Sequence, residues 1–454
     1  MANDSLVPLL MLLCITGCQK PAGRTEPREP LPSPRPVSSA ASALGAARQL
    51  ALMPTRENGA VDRQLSRLSA LAQAHPRRLA TFIELGRTWV WKAREASDPG
   101  YYLNADACVE LALALAPGDR LALDLRVLVL LNDHRFKEAY ELAASLVEQD
   151  PEAPMAWGSL SDALLELGEL ERAERAAEKM LDLKPSLPSY SRVSYFKWLR
   201  GDSTAALELA RLALDAGIDP KVPEPRAWVL LQTAMIFWHR GDLDGADAGF
   251  EMALRAVADY PPALVGRGRV ALARGDTAHA ERWLARAYRL SPLVETAWLL
   301  GEARERAGDT AGSEEAFRDA EREGRRADRR TLSAMFASRD TRASEALQLA
   351  RKERETRGDV QTEDALAWAL YRNGQFDEAS SVMKRARRLG TKDSRLLFHD
   401  GAIVLALGRE PERGRRLIRE ALALNPYFDA REAAEAERLL HGGAASHTGQ
   451  WAAR

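Results

Sequence analysis

Residues 154–185 read PMAWGSLSDALLELGELERAERAAEKMLDLKP, and this stretch decides the fold. Trp157, Leu160, Ser161 and Leu164 stand at i, i+3, i+4 and i+7, one face of a helix. Gly168 ends that helix, because glycine tolerates the positive φ of a C-cap. Ala173, Ala177 and Met180 line one face of a second helix, and Pro185 stops it. Small residues at Ser161 and Ala173 let the two helices approach closely. The unit then recurs along the chain. Pro117, Pro151 and Pro185 are each 34 residues from the last, and Ala105, Ala139 and Ala173 keep the same interval. Gly241 and Gly275, and Gly374 and Gly408, repeat it again. A fixed period of this length means one supersecondary unit stacked many times.

Other units match in part. Residues 261–292 supply Leu264, Gly268, Gly275, Ala280, Leu284, Ala287 and Pro292, and residues 360–390 supply Leu366, Ala367, Gly374, Phe376, Ala379, Met383 and Ala386. The unit at 79–117 holds extra residues near Ser97–Tyr102, expected on a loop, and residues 326–357 are helical in pattern but degenerate. Gly201, Gly241, Gly275 and Gly308 are each followed by aspartate. There the glycine closes one helix and the aspartate caps the next.

These positions resemble the tetratricopeptide repeat and its W-x2-L-G-x2-Y … A-x3-F … P pattern. Ser161, Leu164 and Ala177 stand here for its glycine, tyrosine and phenylalanine. Residues 364–429 also look like a bacterial subfamily of such repeats. The resemblance spans most of residues 61–441. It implies an all-α, right-handed superhelical solenoid of about nine to ten helix-turn-helix units. It also implies binding rather than catalysis, because the motif residues are packing residues.

A 454-residue chain exceeds one compact domain, but a solenoid has no such ceiling because each repeat packs on its neighbours. Aromatics at 6% and scarce β-branched runs argue against a sheet domain among the repeats. Lys+Arg of 64 against Asp+Glu of 65 argues against broad nucleic-acid affinity, which needs a clustered basic face. The run Arg325, Arg326, Arg329 and Arg330 alternates with acids and is expected on a solvated helix face.

The two ends read differently. Residues 1–17 form a signal-peptide pattern, with a short apolar core at Leu6–Leu13 that cannot span a bilayer. Ile15-Thr16-Gly17-Cys18 resembles a bacterial lipobox, although the n-region has no Lys or Arg. The resemblance implies cleavage before Cys18, lipidation of Cys18 and a stable membrane anchor. Gln19 after the cysteine favours the outer membrane by the usual sorting pattern, so the expected site is the cell envelope, facing the periplasm. Residues 18–60 read as a Pro-rich tether, interrupted by a short helix near Ala41–Leu52. The solenoid is expected over 61–426, a capping helix over 427–441 and a loose tail over 442–454. Cys108 is expected to be a small buried hydrophobe.

No constellation of a known chemistry appears, so no catalytic residue, metal or cofactor is expected. The seven histidines offer no pair within four residues, which excludes a local zinc motif. His399-Asp400 is expected to be a turn or surface pair, since neighbours on a helix point apart. Walker and nucleophile-elbow patterns are missing. The groove of the solenoid is the place for a ligand. In the repeat frame the first helix of each unit lines the concave side. That puts Tyr195 and Trp198, then Trp228, Leu231, Met235, Trp238 and His239, on the groove. Val265, Arg269 and Leu272 follow in the next unit. Aromatics and methionine are typical of interaction hot spots, so this cluster is the candidate peptide-docking site. Two other outcomes stay open, a loop covering these rings or a register shifted by one. Trp368, Tyr371 and Arg372 form a second candidate.

The reading is a lipid-anchored, non-enzymatic scaffold binding another envelope protein or peptide. A second reading is a periplasmic small-molecule or glycan-binding module, and a third is a cytosolic adaptor if the signal is not processed. A deep closed pocket would favour the second; an open continuous groove would favour the first. Self-association stays open too, because solenoid ends can pair.

Overall fold

The computed structural model describes residues 40–55, 59–217 and 222–441. The expected signal peptide, Cys18, the part of the expected tether before residue 40 and the expected tail after residue 441 lie outside the described residues. Among the described residues there are 23 α-helices, one 3-10 turn and no strand.

Ten helical hairpins follow one another. Their inner helices are α3 (Leu79–Ala96), α5 (Arg120–Asn132), α7 (Pro154–Glu166), α9 (Leu187–Leu199), α11 (Glu224–His239), α13 (Pro261–Ala273), α15 (Val294–Arg306), α17 (Arg329–Ser338), α19 (Val360–Arg372) and α21 (Ser394–Leu407). Their outer partners are α4 (Tyr102–Leu115), α6 (Phe136–Gln149), α8 (Leu170–Leu183), α10 (Ser203–Asp215), α12 (Leu243–Ala256), α14 (Thr277–Leu290), α16 (Thr310–Ala327), α18 (Ala343–Arg354), α20 (Phe376–Ala386) and α22 (Pro411–Leu424). Two helices precede them, α1 (Ala40–Ala51) and α2 (Ala60–Ala74), and α23 (Ala430–Leu440) follows. The degenerate stretch at 326–357 forms the hairpin of α17 and α18.

Each hairpin is closed by the residues that define the repeat. Ser161 Oγ donates to the Ala173 carbonyl at 2.7 Å, Ser194 to Ala206 at 2.6 Å and Ser333 to Ala346 at 2.8 Å. Where glycine takes that place, as at Gly268, a Cβ would lie 2.5 Å from Leu284 of the outer helix. The four Gly-Asp turns work as their spacing predicts. Gly201, Gly241, Gly275 and Gly308 have φ between 72° and 81°. The aspartates after them cap the next helices through the backbone N–H groups of Ala205, Gly245, His279 and Gly312.

The hairpins do not form an open ribbon. Ser291 Oγ donates to the Ser97 carbonyl at 2.7 Å, across 194 residues. The Gly358 amide donates to the Glu166 carbonyl at 2.8 Å, and Arg357 Nε to the Glu166 carboxylate at 2.8 Å, across 191 residues. Thr391 Oγ1 donates to the Leu199 carbonyl at 2.7 Å across 192 residues, and Asn425 Nδ2 to the Trp238 carbonyl at 2.8 Å across 187. A near-constant separation of this size is about five and a half repeats of 34 residues. It is the signature of one superhelical turn resting on the next. The residues near Ser97–Tyr102 that exceed the repeat are where the first unit meets the end of the sixth. Gly168 shows how close the turns come: it has φ +83°, and a Cβ there would run into the Gly358 carbonyl.

This closure explains the burial of the inner helices. Ten of the thirteen residues of α9 are buried, against three of thirteen in α10. An outer helix hides one face, whereas an inner helix is covered by its partner, its neighbours and the interior of the superhelix. Three expectations change as a result. Arg330 is buried on α17 and reaches Asp359 at 3.1 Å, so that arginine run is not wholly a solvated face. His399 is buried in the middle of α21, not at a turn or on the surface. The short helix expected near Ala41–Leu52 forms as α1, but it packs on the solenoid instead of standing in a tether: Asn104 Nδ2 of α4 donates to the Leu50 carbonyl at 2.7 Å and Trp89 Nε1 of α3 to the Ala51 carbonyl at 2.9 Å. Cys108 is fully buried on α4, and burial pushes its thiol well above the ordinary value, which makes it inert. No described helix is long and apolar enough to cross a membrane.

The axial interior as a candidate functional site

The inner helices present consecutive walls to the superhelix axis, and three adjoining cavities lie between them. The first, of about 70 Å³, is mainly apolar and is walled by α9, α11 and α13. Tyr195, Trp198, Leu231, Met235 and His239 line it, together with Val265 and Arg269. The same-face spacing of the repeat frame therefore brings five of the seven groove residues to one place. The Tyr195 and Trp198 rings stack at 5.6 Å, and Trp198 meets His239 at 4.7 Å. Trp228 is not on this cavity; it packs beside Leu214 and Val229 in the adjoining core. Trp238 points further along the axis and lines the other two cavities. Trp198 and Trp238 are only 6% and 5% exposed, so they are walls of an interior rather than a platform in solvent.

The central cavity, of about 140 Å³, has a more polar wall than the first. Its wall runs from Met235, Trp238 and His239 of α11 across α13, α15, α17, α19 and α21 to Glu432 of α23. It contains the ion pairs that the sequence left unassigned. His239 Nδ1 meets Asp393 at 2.8 Å, a contact between superhelical turns. His399 Nδ1 meets Asp364 at 2.7 Å, and its Nε2 lies 3.4 Å from Glu432. Burial opposes charge on His399, but Asp364 and Glu432 outweigh it and lift its pKa to about 9. Burial likewise works against the Glu432 carboxylate, yet His399 and Arg395 hold it down to about 2. Asp393 is held at about 2 against burial by His239. A third cavity, also of about 140 Å³, continues past Arg269, Glu295 and Trp298 to Phe428. The Arg269–Glu295 ion pair borders all three.

Of the second candidate set, Trp368 lines the central cavity, and Tyr371 and Arg372 line none of these three. Trp368 lies between Tyr371, at 4.5 Å, and His399, at 4.0 Å, in a buried stack. Arg372 covers the indole at 4.4 Å, donates to the Ala337 carbonyl at 2.8 Å and pairs with Glu435 at 2.6 Å. Tyr371 and Arg372 therefore belong to packing between α19, α17 and α23. Sequence reasoning missed Trp298, Asp364, Asp393, Arg395, His399 and Glu432. The inner-helix positions of Trp298, Asp364, Arg395 and His399 were readable, whereas Glu432, expected on the wet side of the capping helix, is buried; the convergence of all six was not readable, because it comes from superhelix closure.

A tetratricopeptide repeat family model matches residues 125–188 and 231–295. Both stretches lie within the run of helical hairpins. The flanking hairpins continue the same repeat architecture. Comparison with curated proteins finds no match. Among solved structures, the chain is similar to PilW, a widely conserved type IV pilus biogenesis factor, at 17% identity and a TM-score of 0.38, covering 43% of this chain and 88% of that one. It is similar to yeast Tom70 at 16% identity and a TM-score of 0.36, covering 84% and 96%. A tetratricopeptide repeat protein from Parabacteroides merdae matches at 16% identity and a TM-score of 0.37, covering 53% and 93%.

Proposed function

We propose that this protein is a non-enzymatic interaction scaffold, held at the cell envelope by lipid on Cys18 and facing the periplasm. The anchor reading rests on Ile15-Thr16-Gly17-Cys18. The binding reading rests on one observation: Tyr195, Trp198, Leu231, Met235 and His239 converge on one cavity between three successive inner helices. Tetratricopeptide repeat proteins generally act as protein-interaction scaffolds, and aromatic and methionine side chains are common hot-spot partners. A partner would insert an apolar side chain of a peptide segment here. The test compares crosslinked capture from membranes by the parent and by Met235→Glu, a half-buried position that can take the change without removing a tryptophan wall. An envelope protein captured by the parent and lost by the variant supports the reading; equal capture overturns this site. Cys18→Ser should release the protein from the membrane fraction, and unchanged fractionation would contradict the anchor.

A second reading has its own support. The inter-turn hydrogen bonds of Gly358, Thr391 and Asn425 roof the groove. A long peptide could not lie along the axis without parting the turns, whereas a small molecule could occupy a chamber within it.

A further inference from the structure

The N-terminal end of the fold has a surface unlike the rest. α1 turns Ala47 and Ala51 toward the solenoid and leaves Ala43, Leu44, Ala46 and Leu50 exposed, with Met53 exposed just after it. Its twelve residues hold one charge, Arg48. A helix that faces water ordinarily carries charge on its outer side, whereas this one presents alanine and leucine there. Leu115 and Leu121 are also exposed, flanking the turn after α4, the helix on which α1 packs. Five of the eight large apolar side chains exposed among the described residues therefore fall between residues 44 and 121.

Charge is uneven in the same place. Residues 40–80 hold six arginines against Glu57 and Asp62, a net of +4 in a chain that nets −1. Asp62 is buried and paired with Lys92 at 3.1 Å, so α2 shows water Arg63 and Arg67 and no acid. Arg77 and Arg78 are exposed just beyond it. Later outer helices instead interleave arginine with acids, as in the Arg322–Asp319 and Arg325–Glu321 pairs of α16. The end of α1 and the start of α2 meet one stretch of α3, through Trp89 and Lys92. Residues 19–39 connect Cys18 to α1, and among them Lys20, Arg24, Arg28 and Arg35 outnumber Glu26 and Glu29. Those 21 residues span at most about 75 Å, so α1 is the part of the fold that lipid on Cys18 would hold nearest a bilayer.

We propose that α1 and α2 form a surface that rests on an anionic phospholipid bilayer, with Leu44, Leu50 and Met53 at the acyl boundary and the arginines at lipid phosphates. An apolar face beside exposed arginines is the chemistry that an anionic lipid interface recognises. The inference rests on the anchor reading above: the lipid supplies attachment, and this surface sets which way the solenoid stands.

The protein purified from membranes would be reconstituted into vesicles of phosphatidylcholine alone and of equal phosphatidylglycerol and phosphatidylcholine. An environment-sensitive dye would be attached at Ala46→Cys on α1, or at Met252→Cys on α12 as a reference; Cys108 is fully buried and takes no dye. The expected result is a blue shift at position 46 in the phosphatidylglycerol vesicles, with quenching by brominated lipid, and neither at position 252. Arg63→Glu with Arg67→Glu, and Leu50→Glu with Met53→Glu, should each lose the quenching; all four side chains are exposed, so the fold tolerates the changes. Equal emission at both positions, or quenching indifferent to phosphatidylglycerol and to the arginines, would overturn the proposal. So would a shift at position 46 that grows with protein density without lipid quenching, the mark of a second copy on this face. If Cys18→Ser releases the protein while position 46 stays unquenched in the lipidated form, the anchor reading stands and this one falls. If that variant fractionates unchanged, the anchor reading fails, and quenching at position 46 on added vesicles still decides this one.

Discussion

At the scale of the residue, the interior of this solenoid is governed by buried charge. Asp359 shows the pattern. It accepts from the backbone N–H groups of Gln361 and Thr362 at the start of α19 and also pairs with Arg330. Asp359→Ala would strip a helix cap and remove a carboxylate that pairs with the buried Arg330 guanidinium. Losing one member of such a pair costs about 3–5 kcal/mol, a drop that urea unfolding would measure. His399 gives a pH dependence with a defined sign. Its folded pKa, about 9, lies above the ordinary imidazole value. Its contribution is therefore complete below about pH 6.5 and is lost as pH rises through about 9. Glu432 and Asp393, held at about 2, act in the opposite sense: their contribution is complete above the ordinary carboxylate range and fades as pH falls through about 2. Thermal melts across pH should show the alkaline decline in the parent and a flatter alkaline limb in His399→Gln. A decline of equal depth in that variant would place the proton elsewhere.

At the scale of the element, the hairpin is a local object, and it was legible for that reason. Ser161, Gly168, Ala173 and Pro185 lie within one period, and each does in the structure what its chemistry requires. Ser161→Val would remove a 2.7 Å hydrogen bond and add bulk between α7 and α8. Lost bonding and overpacking together should cost about 2–4 kcal/mol, against about 1 kcal/mol for Ser161→Ala, again by urea unfolding. The groove residues were half legible. Inner-helix spacing put Tyr195, Trp198, Leu231, Met235 and His239 on one side, but it could not say how much water they meet. Trp228 departs because it is taken up by packing against Leu214, a neighbour outside its own hairpin. His399 was misread for a related reason. Its adjacency to Asp400 is conspicuous in sequence, whereas its partners Asp364 and Glu432 lie on other helices.

At the scale of the whole molecule, closure of the superhelix shapes the interior. It converts a concave surface into partly enclosed chambers, and it brings together residues about 190 positions apart, for which a 34-residue period carries no signal. Two glycine substitutions separate closure from turn strain. Gly168 and Gly275 both have positive φ, but only Gly168 abuts the other turn; nothing stands near a Cβ on Gly275. Gly275→Ala should cost about 1 kcal/mol, the penalty of the backbone conformation alone. Gly168→Ala should cost clearly more, and the excess measures the contact with Gly358.

The most direct test of closure is hydrogen exchange at the amide of Gly358, which donates to the Glu166 carbonyl of the preceding turn. The account predicts strong protection of this amide in the parent, and its loss in Gly168→Ala while the amides inside α7 and α19 stay protected. Exchange at Gly358 as fast as in a free loop would mean that the turns stand apart, the groove is open and the chambers do not exist in solution.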